Sequence, residues 1–122
     1  FPQTMSATDH FAPRVALVTG SGSGIGAAVA LRLARPGTSL LLHARSNRAG
    51  CEATAEAVRS AGAQAKITLG DLSDPETASS LITRSIEAFG SLDVLVANAG
   101  FHSLILHCQR RTIPRRPLLV DV

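Results

Sequence analysis

Residues 19–26 place four glycines within eight positions, and this stretch constrains the fold more than any other part of the chain. It follows an apolar run, Val15–Val18, that is typical of a buried parallel strand, and it precedes an apolar helical pattern over residues 27–35. A strand, a glycine-rich turn and a helix N-terminus favour phosphate binding, since the backbone can approach closely and free N–H groups face the negative charge. A tight turn without a ligand is the plainer interpretation, but the strand and the helix on either side favour the phosphate site.

The glycines can be aligned with two patterns. Residues 22–27 fit the general dinucleotide pattern G-x-G-x-x-G/A. Residues 19–26 resemble the Thr-Gly-x-x-x-Gly-x-Gly pattern of the short-chain dehydrogenases/reductases, and this register begins where the strand ends. Three later segments resemble the same family in the same order: Arg45-Ser46, residues 70–74 and residues 97–100. The resemblance covers residues 14–100 and largely stops after Gly100.

Length and composition favour one domain in which helices cover a parallel sheet. The 122 residues are 45% hydrophobic and only 3% aromatic, which suits this architecture better than an all-β sandwich. The predicted fold class is α/β: a doubly wound, Rossmann-like parallel sheet in three α/β/α layers, with strand order 3-2-1-4. We expect residues 1–13 to be an N-terminal extension, residues 14–100 the dinucleotide-binding domain, and residues 101–122 an atypical basic tail. Met5 is the only methionine, which suggests that residues 1–4 are a cloning remnant.

Further strands are predicted at residues 38–44, 65–69 and 92–97, where short apolar runs recur. Between them, one helix is predicted from Asn47, as its cap, to a stop at Gly62. A second helix is predicted to start at Ser73, with Pro75 in its first turn and Glu76 in a capping-box position. The core faces of these helices are Cys51, Ala55 and Val58, and Ala78, Leu81, Ile82, Ile86 and Phe89.

Cofactor choice depends on the residues after the second strand. NAD-binding sites place an acidic residue there, about 20 residues past the glycines, on the ribose 2′-hydroxyl. Here no Asp or Glu occurs between Asp9 and Glu52, and Arg45 and Ser46 stand at the strand end. A guanidinium can hold a 2′-phosphate through a bidentate fork, so the sequence predicts NADP rather than NAD. A solvated loop arginine is the alternative, and His43 is interpreted as a packing residue at the strand end.

The resemblance implies roles for two further segments. Asp71 and Leu72 would lie beside the adenine, and Asn98 and the two residues after it would border the cofactor ribose. Ala97 departs from the Asn-Asn-Ala-Gly pattern of the family. The predicted cofactor-binding residues are therefore Gly20, Ser21, Ser23, Gly24, Ile25, Gly26, Arg45, Ser46, Asp71, Leu72, Asn98, Ala99 and Gly100.

The catalytic Tyr-x-x-x-Lys of the family has no counterpart in this chain. The sequence contains no tyrosine, and its single lysine, Lys66, falls on the third predicted strand. The resemblance implies an NADP-dependent oxidoreductase that transfers hydride between an alcohol and a carbonyl, here incomplete, with no catalytic residue to name. A non-catalytic nucleotide-binding or regulatory module is the alternative. For the complete enzyme we expect a small alcohol or carbonyl substrate and a homo-oligomer.

The excess positive charge lies in the tail, because residues 1–100 carry eight basic and eight acidic side chains. Residues 101–122 contain four arginines and one acidic residue, Asp121. No aromatic residues alternate with these arginines, as they do in nucleic-acid-binding segments. Three interpretations of the tail are open. The chain is an incomplete enzyme whose tail departs through a frame change or misassigned sequence, the tail is a basic extension that binds an acidic partner or nucleic acid, or it is a solvated cover for the sheet edge. Residues 119–122 resemble the helix that precedes the family's catalytic Asn, which favours the first. We predict that the fourth strand is then an unpaired edge that promotes self-association.

Other site types and locations find little support in the sequence. No apolar run is long enough to span a bilayer, and the start lacks a secretory signal pattern. His102, His107 and Cys108 form a poor metal shell, so no metal is expected. The cysteine pattern predicts a reduced, cytoplasmic protein.

Overall fold

The computed structural model describes residues 14–98 and 117–121. In this part of the chain, strands and helices alternate as short apolar runs and amphipathic segments require. The elements are β1 (Val15–Val18), α1 (Gly24–Leu33), β2 (Ser39–Ala44), α2 (Arg48–Ser60), β3 (Gln64–Leu69), α3 (Pro75–Phe89), β4 (Val94–Ala97) and β5 (Leu118–Asp121).

The strands form one parallel sheet in the order β3-β2-β1-β4-β5. β1 is its central strand, with Ala16 opposite Leu40 of β2 on one side and Val94 of β4 on the other. The chain thus runs outward from β1 to β3 and then returns to β4 on the opposite side. The carboxyl ends of β1 and β4 flank this reversal, where ligands of open α/β sheets bind. The predicted order 3-2-1-4 is confirmed.

The core lies on both faces of the sheet, because side chains of a buried parallel strand alternate between two covered sides. Ala16 and Val18 of β1 face α1 and α2, whereas Val15 and Leu17 face α3. The predicted face of α2 is fully buried, at Cys51, Ala55 and Val58. On α3, Ala78, Leu81 and Ile82 are buried, while Ile86 and Phe89 are partly buried against the same cluster. The three-layer α/β/α prediction is confirmed.

The helix starts differ from the prediction at two places. α1 begins at Gly24, inside the glycine stretch, rather than at residue 27. α3 is capped by Asp74, whose carboxylate accepts from the Glu76 N–H at 3.0 Å, and Ser73 is not its cap. The Ser73 hydroxyl instead donates to the Asp71 carboxylate at 2.8 Å, which leaves Asp74 next to Pro75 to begin the helix. Asn47 caps α2 as predicted, accepting from the Gly50 N–H at 3.0 Å.

The tail corrects a prediction about the edge of the sheet. β4 is not an unpaired edge, because β5 pairs with it in parallel, and Leu118 donates a backbone hydrogen bond to Asp93 at 2.8 Å. Residues 118–121 are therefore a strand and not the helix that the family resemblance suggested. Three consecutive apolar residues favour this pairing, and the prolines of the tail lie before the paired residues. Within the described ranges, no helix is long and apolar enough to cross a membrane.

Candidate cofactor-binding site

The glycine-rich loop connects β1 to α1 through two residues in the left-handed region. Gly20 has φ 64° and Gly24 has φ 59°, a conformation that L side chains rarely adopt. Gly26 is required for a different reason, since a Cβ atom there would lie 2.1 Å from the Gly20 carbonyl oxygen. Ser23 and Ile25 are exposed beside these glycines, and Ser23 makes no side-chain capping bond. The first N–H groups of α1 are thus presented at the carboxyl edge of the sheet.

The same loop is attached to α2 by contacts that the sequence did not predict. Thr54 shares its hydroxyl hydrogen between the Ser21 carbonyl at 2.9 Å and the Gly50 carbonyl at 3.0 Å. A Cβ atom on Gly50 would lie 2.2 Å from the Gly22 carbonyl oxygen, so the first turn of α2 packs directly on the loop. Gly50 falls outside the glycine pattern in sequence, and only the packing of α2 reveals its role.

β4 holds the loop from the other side through Asn98. The Asn98 side-chain amide donates to the Gly20 carbonyl at 3.2 Å, and its backbone N–H donates to the Thr19 hydroxyl at 3.1 Å. The Thr19 backbone N–H donates in turn to the Val96 carbonyl at 3.0 Å. Asn98 and the glycines are therefore brought together at the reversal of strand order. Ala99 and Gly100 lie outside the described residues.

Arg45 stands at the carboxyl end of β2 with 79% of its side chain exposed. Its guanidinium lies 3.4 Å from the Asp71 carboxylate, which follows the neighbouring strand β3. Two hydrogen bonds from Ser73, through its backbone N–H and its hydroxyl, are the main reason that the pKa of Asp71 lies below its usual value of 3.8. The Arg45 charge lowers this pKa further but less. Ser46 is exposed next to Arg45, and Leu72 is buried in the core below the cleft.

Ser21 and His43 form a buried connection between the loop and β2. The His43 backbone N–H donates to the Ser21 hydroxyl at 2.9 Å, and the Ser21 backbone N–H donates to the His43 carbonyl at 2.7 Å. The hydroxyl, the backbone N–H and the carbonyl of Ser21 are thereby all occupied within the protein, so Ser21 supports the loop from below. His43 is buried at the strand end as predicted, but its ring makes two further hydrogen bonds that the sequence analysis missed.

These segments enclose a cleft of about 470 Å³ at the carboxyl ends of β1, β2 and β3. Its lining combines glycines, which allow close approach to the backbone, with the ion pair of Arg45 and Asp71 at its rim. The lining residues are Gly20, Gly22, Ser23, His43, Ala44, Arg45, Asn47, Gly70, Asp71, Leu72 and Ser73. The open helix N-terminus, the absence of Cβ atoms at the loop and the rim guanidinium suit an adenosine bearing phosphates. The residues present therefore fit a dinucleotide.

Comparison with known proteins agrees with this geometry. Residues 14–113 match the family described as short chain dehydrogenase, which extends past Gly100, where the resemblance in motifs ended. A cis-4-hydroxycyclohexanecarboxylate dehydrogenase of Sinomonas cyclohexanicum is 42% identical over 112 residues, 86% of this chain and 44% of that protein. A versicolorin reductase of Emericella nidulans is 36% identical over 101 residues, 81% of this chain and 38% of that protein. The chain thus spans less than half the length of these relatives.

Solved structures share the fold of the same region. A xylitol dehydrogenase with bound NAD⁺ superposes with a TM-score of 0.66 at 38% identity, over 72% of this chain and 34% of that one. A carveol dehydrogenase from Mycobacterium avium, in complex with NAD, gives a TM-score of 0.67 at 28% identity, over 74% and 36% of the two chains. The family match, the relatives and the geometry of the cleft agree. This chain corresponds to the N-terminal half of its relatives and belongs to the short-chain dehydrogenase/reductase family.

Proposed function

We propose that this chain is the NADP-binding part of an oxidoreductase that transfers hydride between an alcohol and a carbonyl. The observation that carries the proposal is Arg45, a guanidinium at the end of β2 and at the rim of the cleft. An acidic side chain in this place would repel a 2′-phosphate, whereas a guanidinium attracts it and can donate two parallel hydrogen bonds. The chain is in this respect proposed to differ from the two solved structures named with NAD.

The other residues divide the proposed dinucleotide among three segments. The N-terminus of α1 and the backbone of Gly22 would hold the pyrophosphate, because they offer N–H groups at a loop that carries little side-chain bulk. Asp71 would accept from the adenine amino group, since its lowered pKa keeps it ionised. Asn98, held against Gly20, would border the ribose next to the nicotinamide. When bound, the nicotinamide supplies the hydride acceptor or donor.

A second candidate function rests on one feature of the composition. The printed sequence contains no tyrosine, and Lys66 lies on β3, two strands away from the central strand β1. The proton transfer that accompanies hydride transfer in this family therefore lacks its phenol in these 122 residues. The second candidate function of these 122 residues is therefore to bind a nucleotide without catalytic turnover.

Isothermal titration with NADP⁺ and NAD⁺ tests the cofactor preference. We expect Arg45→Asp to weaken NADP⁺ binding by about 10- to 150-fold, the equivalent of one charge-assisted hydrogen bond at about 1.5–3 kcal/mol. NAD⁺ binding should change little or improve. Arg32→Asp is the matched control, because it makes the same charge change in the last turn of α1, away from the loop.

Two results would contradict the proposal. If the unmodified protein bound NADP⁺ and NAD⁺ with equal affinity, Arg45 would not bind the 2′-phosphate as proposed. If Arg32→Asp and Arg45→Asp weakened NADP⁺ binding equally, the effect would come from net charge and not from a 2′-phosphate site.

A further inference from the structure

The ring of His43 connects two loops that line opposite sides of the cleft. Its Nδ1 accepts a hydrogen bond from the Gly20 N–H of the glycine-rich loop at 3.3 Å. Its Nε2 lies 2.8 Å from the carbonyl oxygen of Gly70, where the loop from β3 to α3 begins. One buried side chain therefore spans from the segment proposed to hold the pyrophosphate to the segment proposed to hold the adenine.

These two partners define the state of the ring. Gly20 offers a donor, so Nδ1 must be unprotonated, and Gly70 offers an acceptor, so Nε2 must carry the hydrogen. Only the neutral Nε2–H tautomer satisfies both bonds. A second proton, on Nδ1, would point at the Gly20 N–H. Two buried donors cannot share a hydrogen bond, so the ring and Gly20 would move apart.

The surroundings of His43 favour the same neutral state. Burial lowers the pKa of its imidazole below the usual value of 6.5, and the hydrogen bond to the Gly70 carbonyl opposes this effect only in part. The glycine-rich loop brings no charged side chain to it. Arg84 of α3 donates to the Thr68 hydroxyl on β3. The charged or titratable groups on the elements around His43 are Arg45 just after its own strand, Lys66 on β3, Asp71 and Asp74 after β3, Glu76, Arg84 and Glu87 on α3, and Arg48, Cys51, Glu52, Glu56 and Arg59 on α2.

None of the shifted neighbours titrates between pH 5 and pH 8. Asp71 has a pKa below 3.8 and stays ionised, and burial raises the pKa of the Cys51 thiol above 9.0, so it stays protonated. Among the residues that the structure describes, His43 is the titratable group beside the cleft whose ring bonds to both loops.

We propose that His43 is a positioning residue that sets the separation of the two loops, so that its protonation loosens the cleft and weakens dinucleotide binding. Binding then requires the neutral ring and weakens as the pH falls through the lowered pKa of the folded His43 ring. This direction is diagnostic, because protonation elsewhere adds positive charge and would strengthen the binding of an anion. The coupling to a cofactor rests on the proposed function, whereas the link between the loops does not.

The link itself is tested without any ligand. In a ¹⁵N-labelled sample of the full chain, the ring nitrogen shifts should identify the Nε2–H tautomer of His43 at pH 7.5. The amide resonances of Gly20 and of residue 71, whose N–H follows the Gly70 carbonyl, should shift with the same midpoint as the ring. His43→Gln identifies the His43 signals among the four histidines and should abolish these amide titrations.

Binding is tested with NAD⁺, because the 2′-phosphate of NADP⁺ is itself expected to titrate near pH 6, as phosphate monoesters do. The Kd of the unmodified chain should rise between pH 7.5 and pH 5.0, by no more than about tenfold per pH unit, since one proton is linked. His43→Gln keeps a donor for Gly70 and does not titrate, so its Kd should be nearly independent of pH. His43→Leu loses both bonds and should bind more weakly than His43→Gln at pH 7.5.

The outcomes separate the two proposals. Amide resonances of Gly20 and residue 71 that ignore the titration of His43 would refute the link. NAD⁺ binding with the same pH dependence in His43→Gln as in the unmodified chain would refute the coupling. Failure of NAD⁺ and NADP⁺ to bind at pH 7.5 would refute the proposed function together with the coupling, and the amide titration would still decide the link.

Discussion

Replacing Gly26 by alanine tests how closely α1 and the glycine-rich loop pack. The added Cβ would lie 2.1 Å from the Gly20 carbonyl oxygen, 2.7 Å from its carbon and 2.9 Å from the Asn98 side-chain nitrogen. Two of these are backbone atoms, so no rotamer change can relieve the overlap. The loop must therefore move away from the helix, and the bond from Asn98 to Gly20 must lengthen or break.

The expected loss follows from three contributions. Overpacking against backbone costs about 3 kcal/mol, the upper end of its usual range. Loss of one hydrogen bond adds about 1 kcal/mol, and the better helix propensity of alanine returns about 1 kcal/mol. The net decrease in the free energy of unfolding is about 3 kcal/mol, which corresponds to a Tm lower by about 12 °C at an unfolding entropy of about 2.1 cal/mol/K per residue.

Urea unfolding followed by circular dichroism measures this loss. Gly24→Ala is the matched control, because a Cβ there meets no atom within 4 Å and faces only the strain of φ 59°. That strain costs about 1–2 kcal/mol. If Gly26→Ala were destabilised no more than Gly24→Ala, the close packing of the loop on α1 would be wrong.

Three other predictions concern the cap, the histidine and the edge. Asp74→Ala should lower the free energy of unfolding by about 1 kcal/mol because it removes the α3 cap, and urea unfolding that shows a larger loss for Ser73→Ala would contradict the assignment. Because the pKa of His43 is lowered in the folded state, the unfolded chain binds more protons below pH 6.5, and the free energy of unfolding should fall as the pH falls below 6.5. If Tm depended on pH equally in His43→Gln and in the unmodified chain, this prediction would be wrong. Leu118 on β5 is 65% exposed and should promote concentration-dependent association of the chain. If the unmodified chain and Leu118→Lys showed the same association in sedimentation velocity, this prediction would be wrong.

Much of the sheet could be predicted because its signals are local. The apolar run Val15–Val18 and the glycines after it predict a strand and a turn without reference to the rest of the chain. The order 3-2-1-4 followed from the motif resemblance combined with right-handed crossovers. The start of α3 was wrong by one residue because two neighbouring side chains can both cap, and only the bond from Ser73 to Asp71 decides between them.

The contacts of the site that were missed depend on packing between distant segments. Gly50 and Thr54 lie on a helix whose pattern predicts only a buried face, yet they contact the loop. β5 was missed for a related reason, because its short apolar run pairs with β4 only where the neighbouring strand leaves an open edge. The binding roles of Arg45, Asp71 and Asn98 stay predictions.

The central position of β1 has a consequence for how the chain folds. Val15 of β1 donates a hydrogen bond to Asp93, which is 78 residues away in sequence, whereas β2 is reached after one helix. Closing the longer loop costs more entropy, so the half-sheet from β1 to β3 can form before β4 docks. Asn98 reaches the glycine-rich loop only with β4, and the nucleotide site is therefore completed late. A dinucleotide should then leave the folding rate nearly unchanged and act mainly by slowing unfolding, which lengthens the lifetime of the native state.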